Sequence, residues 1–250
     1  MSTSVTVEAD GHVGVVLLRR PPNNYFDVAL LDELATAYEA LGQSDWCRAL
    51  VLGSEGKHFC AGLDFGGDGV EDIASLYRHA VRLFAAPLPV VAAVQGSAIG
   101  GGLGLALSAD FRVAAPGSRF SANFARLAFH HGFALTVTLP AVAGQQAAAD
   151  LLLTGRRVGG VEALALGLCD ELSAEGDVVT RAVARAADIA ASGPLAVRAI
   201  RATLRQGLAE RARHAMAHEC GEQERLRHTA DFAEGVQASA ARRPPLFTGR

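Results

Sequence analysis

The chain has 250 residues, half of them hydrophobic and 20% charged, with a net charge of −3. That length supports one large domain, or a domain with a small appendage, around a sizeable core, and the near-neutral charge argues against a nucleic-acid or membrane-surface role. The four cysteines (Cys47, Cys60, Cys169, Cys220) lack metal-ligand spacing, and MSTSVTVEAD carries no basic or apolar leader, so free thiols, no metal and a cytoplasmic location are expected.

Val5–Val7 and Val13–Leu18 read as strands around an Asp10-Gly11 turn. A polar loop, Arg19 to Asn24, leads to a helix over Asp27–Gly42 with Leu30, Leu31, Leu34, Tyr38 and Leu41 along one side. Ala49–Leu52 is a short apolar strand, followed by a Gly-rich loop from Lys57 to Gly69. A helix over Glu71–Ala86 precedes a strand over Pro89–Val94. Phe111–Val113 reads as another strand, whereas Ser118 to Phe133 has no periodicity and reads as a loop of the kind that carries function. Helices are expected over Gln145–Leu153, Val161–Leu166 and Asp177–Ala191, then from Pro194, and last from Leu208 to Gln237. The alternation implies an α/β fold with a mostly parallel sheet, and a helical C-terminal portion.

The richest stretch is VQGSAIGGGLGLALSAD, Val94 to Asp110. From Leu83 to Ala109 no residue is charged, yet Pro87, Pro89, Gly96 and the triplet Gly100–Gly102 interrupt the run, which excludes a membrane span. The triplet also misses the GxGxxG register of dinucleotide loops, because Leu105 stands where the third glycine belongs. Three adjacent glycines before an apolar helix mark either a tight structural contact or bared backbone. Free N–H groups at a helix start, reinforced by the helix dipole, suit a developing oxyanion.

Four segments resemble the enoyl-CoA hydratase/isomerase, or crotonase, superfamily. Ala49 to Asp64 is similar to its strand and loop ending in AG-x-D, and Gln95–Gly102 to its NG-x-x-x-GGG segment. Arg157–Leu168 resembles its next helix entry, and Arg243–Gly249 its C-terminal end. The resemblance implies a spiral of ββα units over residues 1–193 and a helical trimerisation region over 194–250. It implies a homotrimer or a hexamer built from two trimers. It also implies an acyl-CoA ligand, with coenzyme A entering as part of the substrate and no permanently bound cofactor. The backbone N–H groups of Leu63 and Gly101 would hold the thioester oxygen. Coenzyme A would run along Lys57, His58, Phe59 and Ala61, with Arg20 near its phosphates and Phe247 and Arg250 covering it from a neighbouring subunit. Asp64 would brace the oxyanion loop.

Hydratases of that family set two glutamates across the substrate, and the matching positions here are Gly104 and Phe124. Neither residue can activate water or protonate carbon, so ordinary hydration is not expected. Related dehalogenases carry a nucleophilic aspartate at the Gly132 position, so dehalogenation is not expected either. The ionisable replacements in this loop are His130 and His131, with His131 favoured to move a proton. Arg126 is a candidate for an acidic substrate group, or a surface residue. Two readings therefore stand: an acyl-CoA thioester enzyme working through an enolate, and a non-catalytic acyl-CoA binder.

Overall fold

The computed structural model describes residues 3–64 and 72–250. Strand β1 (Val5–Asp10) turns at Gly11 into β2 (Val13–Leu18), and the two pair antiparallel from Val5↔Leu18 to Asp10↔Val13. Helix α1 (Val28–Gln43) starts where the Asp27 carboxylate accepts the Leu30 N–H at 2.8 Å. Strand β3 (Ala49–Ser54) follows. Helix α2 (Ile73–Phe84) is capped in the same way by Asp72, and its expected start at Glu71 lies outside the described residues, as do Phe65–Gly69 of the Gly-rich loop. The chain continues through β4 (Val90–Val94), β5 (Ser97–Ile99), α3 (Gly101–Ser108), β6 (Phe111–Ala114) and β7 (Arg119–Ser121).

The segment with no periodicity contains β7 and a 3-10 turn (Asn123–Leu127), and it runs on into α4 (Leu135–Ala143). Then come α5 (Gln145–Thr154), β8 (Arg157–Gly159), α6 (Gly160–Ala165), β9 (Glu171–Leu172) and α7 (Val178–Ala190). The C-terminal portion holds α8 (Pro194–Leu204), α9 (Leu208–Leu226) and α10 (Ala230–Ala240). The single helix expected from Leu208 to Gln237 is thus two. The Thr229 hydroxyl accepts the Phe232 N–H and starts a new helix there.

The large sheet has the order β1-β2-β3-β4-β6-β9, parallel throughout except for the β1–β2 hairpin. Strand residues alternate between its two faces. Leu50, Leu52, Val90, Ala92 and Val94 enter the main core with α1, α2 and α3. Ala49, Val51, Val91 and Ala93 meet Val178, Ala182, Ala186 and Ala190 of α7 on the other side. The small sheet, β5-β7-β8, stands apart. Two successive spiral turns, β4-β5 and β6-β7, each give one strand to either sheet. Among the described residues no helix is long and apolar enough to cross a membrane.

Helix α8 docks through charge. Asp110 accepts from Arg201 Nε and Arg205 Nη1, both at 2.8 Å, and from the Val90 N–H at 2.8 Å. The opposite side of α8 leaves Leu195, Ile200 and Leu204 exposed.

Candidate active site

The loop ending in Asp64 and the glycine triplet are brought together by the small sheet. Cys60 bridges Ala98 in parallel, with Cys60 N–H donating to Ser97 O at 3.1 Å and Ile99 N–H donating to Cys60 O at 3.0 Å. Buried Asn24 holds the loop from outside. Its Nδ2 donates to Glu55 O at 2.8 Å and His58 O at 2.7 Å, and its Oδ1 accepts the Arg20 N–H at 2.9 Å.

The approach is close enough to require glycine on both sides. Gly62 has φ +84°, and a Cβ there would lie 2.8 Å from Ile99 O and 3.2 Å from Gly101 N. A Cβ on Gly102 would overlap the Cys60 carbonyl. Flanking amides are engaged: Ala61 N–H with Asn23 O, Gly62 N–H with Cys60 Sγ, and Gly100 N–H with Ser121 O. Among the described residues the amides of Leu63 and Gly101 have no protein acceptor. Gly101 opens α3, so its N–H also sits at the positive end of the helix dipole.

Both residues line a cavity of about 360 Å³. Its walls are largely apolar, with Phe26, Leu76, Phe124, Leu127 and Phe133, and α10 closes one side with Val236, Ser239 and Ala240. Polar groups are few: Tyr25, Asp64, Tyr77, Asn123, Arg157 and Gln223 among them. The Tyr77 hydroxyl donates to Gln223 Oε1 at 2.8 Å and accepts the Phe133 N–H at 3.3 Å, while Gln223 Nε2 donates to His130 O at 3.0 Å. Burial, then the nearby Glu219 charge, pushes the Tyr77 phenol far above its ordinary range, so it stays protonated. Among the described residues no three His, Cys, Asp or Glu side chains group as metal ligands.

The family model described as Enoyl-CoA hydratase/isomerase matches residues 8–250. The chain belongs to the enoyl-CoA hydratase/isomerase family. It is 36% identical to an enoyl-CoA isomerase/hydratase of Zymoseptoria tritici, covering 99% of this chain and 87% of that one. A probable enoyl-CoA hydratase of Rhodobacter capsulatus is 34% identical, covering 99% and 98%. The crystal structure of an enoyl-CoA hydratase/isomerase from Pseudoalteromonas atlantica superposes with a TM-score of 0.88 at 28% identity, covering 98% of this chain and all of that one.

In this enoyl-CoA hydratase/isomerase family member the cavity gathers Leu63, Gly101, Ala61, Asp64, Phe124 and Gly132 of the residues singled out by sequence. Gly104 is a correction. It is buried behind Phe133, where an added Cβ would lie 2.5 Å from the Phe133 Cβ, so Phe133 and not residue 104 forms the wall. Gly132 is on the wall, but a side chain there would overlap the Tyr77 hydroxyl and the Gln223 amide, which occupy that space.

His130 and His131 are not on the wall. The rings stack on each other at 4.2 Å, and His218 meets His130 edge-on at 5.9 Å. The Thr136 hydroxyl donates to Glu219 Oε1 at 2.6 Å, so it must accept from His131 Nε2 at 2.8 Å. Burial, then the charges of His130 and His218, pushes His131 down to about 4. His131 is thus engaged with Thr136 beside Glu219 of α9 and lies off the described cavity wall.

Several residues expected to contact coenzyme A are engaged within the chain. Phe59 is sealed in the core and its N–H donates to Gln95 O, so neither its ring nor its amide is available. His58 gives its carbonyl to Asn24 and Ser54, and Lys57 is exposed beside it. Arg20 pairs with Asp27 at 2.7 Å and donates to Ser4 Oγ at 2.8 Å. Phe247 and Arg250 lie on a tail folded back along α10, where Asp231 accepts the Thr248 and Gly249 amides, both at 2.7 Å. Arg126 donates to Thr154 O and does not reach the cavity wall.

Sequence reasoning did not find Tyr77, Gln223, Asn123 or the α10 wall. Asn123 stands two residues beyond the strand pairing with β8, which offered a signal. Tyr77 and Gln223 meet across 146 residues, and no local pattern announces that.

Proposed function

We propose that the chain processes acyl-CoA thioesters through an enolate, with the Leu63 and Gly101 amides as donors to the thioester oxygen. The observation that carries this reading is the abutment of two backbone segments whose uncommitted amides share one cavity wall. Breaking or making a bond at the α-carbon moves negative charge onto that oxygen. Donors fixed in advance by Asn24 and the small sheet need no reorganisation when the charge appears, so they favour the transition state over the ground state.

With Gly104 backed by Phe133 and Phe124 on the wall, neither of these two positions supplies a carboxylate among the described residues, and we do not assign the chain ordinary hydratase activity. Tyr25 and Asp64 are the ionisable groups of the described wall left for proton transfer, since Tyr77 stays protonated and hydrogen-bonded to Gln223, and the histidines receive no such role. The exposed apolar side chains of α8 fit burial against further copies of the chain, consistent with the expected trimer or hexamer.

The test compares hexanoyl-CoA with S-hexyl-CoA, the thioether lacking the carbonyl, by calorimetry. Two hydrogen bonds of about 1 kcal/mol each predict roughly 30-fold weaker binding of the thioether. Equal affinities would refute the oxyanion assignment. A panel of enoyl-, dienoyl- and aromatic acyl-CoAs read by mass spectrometry then separates an enzyme, which converts one of them, from a binder, which converts none.

A further inference from the structure

We propose that Arg157 selects acyl groups that end in a carboxylate, an inference that rests on the thioester reading above. In the small sheet the Cα partners run Ile99↔Ser121 and Ser121↔Arg157, so these three residues form one row across β5, β7 and β8. Directly paired residues share a pleat direction, and Ile99 and Arg157 both line the cavity. Between them the Ser121 hydroxyl turns away to donate to Gly155 O. Two strand spacings, about 10 Å, therefore separate the backbone of Arg157 from that of Ile99, which lies two residues ahead of Gly101. A short acyl chain and the arginine stem together cover that distance.

The same sheet gives the direction. Ala98 pairs with Cys60 on one edge of β5 and with Phe120 on the other. The Lys57–Ala61 segment, expected to carry coenzyme A, thus lies on one side of the thioester position. Arg157 lies on the other, where the far end of an acyl group goes. An anion bound there belongs to the acyl group and not to the phosphates of coenzyme A.

Arg157 is the cation of the described cavity wall, and among the described residues no carboxylate or carbonyl engages it. Its neighbours are committed. Arg156 holds Asp150 at 2.6 Å and Glu162 at 2.7 Å, and Arg126 donates to Thr154 O at 2.9 Å. A guanidinium offers a planar fork that matches a carboxylate, and Asn123 and Ser239 on the same wall add neutral donors. Arg157 is exposed, so solvent screening limits the preference to about tenfold.

Calorimetry with succinyl-CoA against butyryl-CoA, and adipyl-CoA against hexanoyl-CoA, reads the preference as a ratio in which the common coenzyme A cancels. The wild-type chain should favour one carboxylated member by about tenfold. Arg157→Met should bring that ratio to one or below, Arg157→Lys should restore part of it, and Arg126→Met should leave it in place. Ratios of one for both pairs in the wild type overturn the inference without any variant, and so does a ratio that survives Arg157→Met. In both cases the thioester reading stands if the simple acyl-CoAs bind. Failure of every thioester to bind overturns that reading and this inference together.

Discussion

Replacing His131 with Gln gives a direct measure of what the buried histidine does. The ring Nε2–H donates a hydrogen bond to the Thr136 hydroxyl oxygen, that hydroxyl donates to Glu219 Oε1, and Glu219 also accepts the Ala134 N–H at 2.9 Å. Glutamine keeps a donor at that end of the chain and removes the titrating ring. The histidine falls from 6.5 to about 4 in the folded protein. A depressed folded pKa gives stability that is present above the unfolded value and is lost as pH falls from about 6.5 toward 4. The full difference corresponds to at most ~3.4 kcal/mol. The ring is only partly shielded from solvent, which lowers the expectation to about 2 kcal/mol.

Glu219 works in the opposite sense. Burial raises its pKa, so protonation as pH falls through that raised value favours the fold, and only the difference between wild type and variant isolates the histidine. Thermal unfolding from pH 7 to pH 4 should show the wild type losing about 4–8 °C relative to His131→Gln. Parallel curves would mean that His131 titrates normally, and would make it a candidate proton carrier again. A pH–rate profile with a limb near 6.5 that disappears in the variant would do the same.

Asp110→Ala should cost about 3–5 kcal/mol, because it strands two mostly buried arginines, Arg201 and Arg205, and the Val90 amide; thermal unfolding reads this directly, and a cost under 1 kcal/mol contradicts the charge-docked picture of α8. Gly102→Ala should abolish acyl-CoA binding measured by calorimetry while circular dichroism still reports a folded chain, since the new methyl group forces the Cys60 carbonyl and the Leu63 loop away. Ala128→Gly should raise stability by about 0.5–1 kcal/mol, because Ala128 sits at φ +51°, a backbone region that glycine enters without strain.

The large sheet, apart from the two-residue edge strand β9, was legible because strand alternation and apolar runs are local signals. Ala49–Leu52 is an example: each residue is buried, odd and even positions on opposite faces. The glycine triplet was legible for a related reason, since three adjacent glycines mark either a tight contact or bared backbone, and Gly102 is in close contact with the Cys60 carbonyl. Helix α4 was not legible. Leu135 to Ala143 spreads apolar residues around the helix and contains Pro140, so no helical face stands out. The break between α9 and α10 depends on one threonine whose cap looks like any other polar residue in a long amphipathic run. At the site, the histidine pair was visible as ionisable residues in a loop. Their direction is decided by Thr136 and by Glu219, 83 residues further on, and such a contact leaves no trace in a single sequence.

A site whose donors belong to the main chain separates recognition from reaction. The Leu63 amide does not depend on the side chain at that position, whereas Gly101 must itself stay glycine, since a Cβ there would lie 2.5 Å from the buried Phe26 ring, and Gly62 and Gly102 keep the two segments in contact. The choice of reaction then rests on what faces the amides. In this chain the opposing positions are filled from a distance: Phe133 covers Gly104, and Tyr77 with Gln223 covers Gly132. Restoring a carboxylate at either glycine would require moving those residues, which are themselves tied to α2, α9 and the 130–134 loop. The absence of acids at Gly104 and Gly132 is therefore built into the packing of three elements. Any proton transfer in this cavity is accordingly to be sought at other groups of its described wall, such as Tyr25 and Asp64.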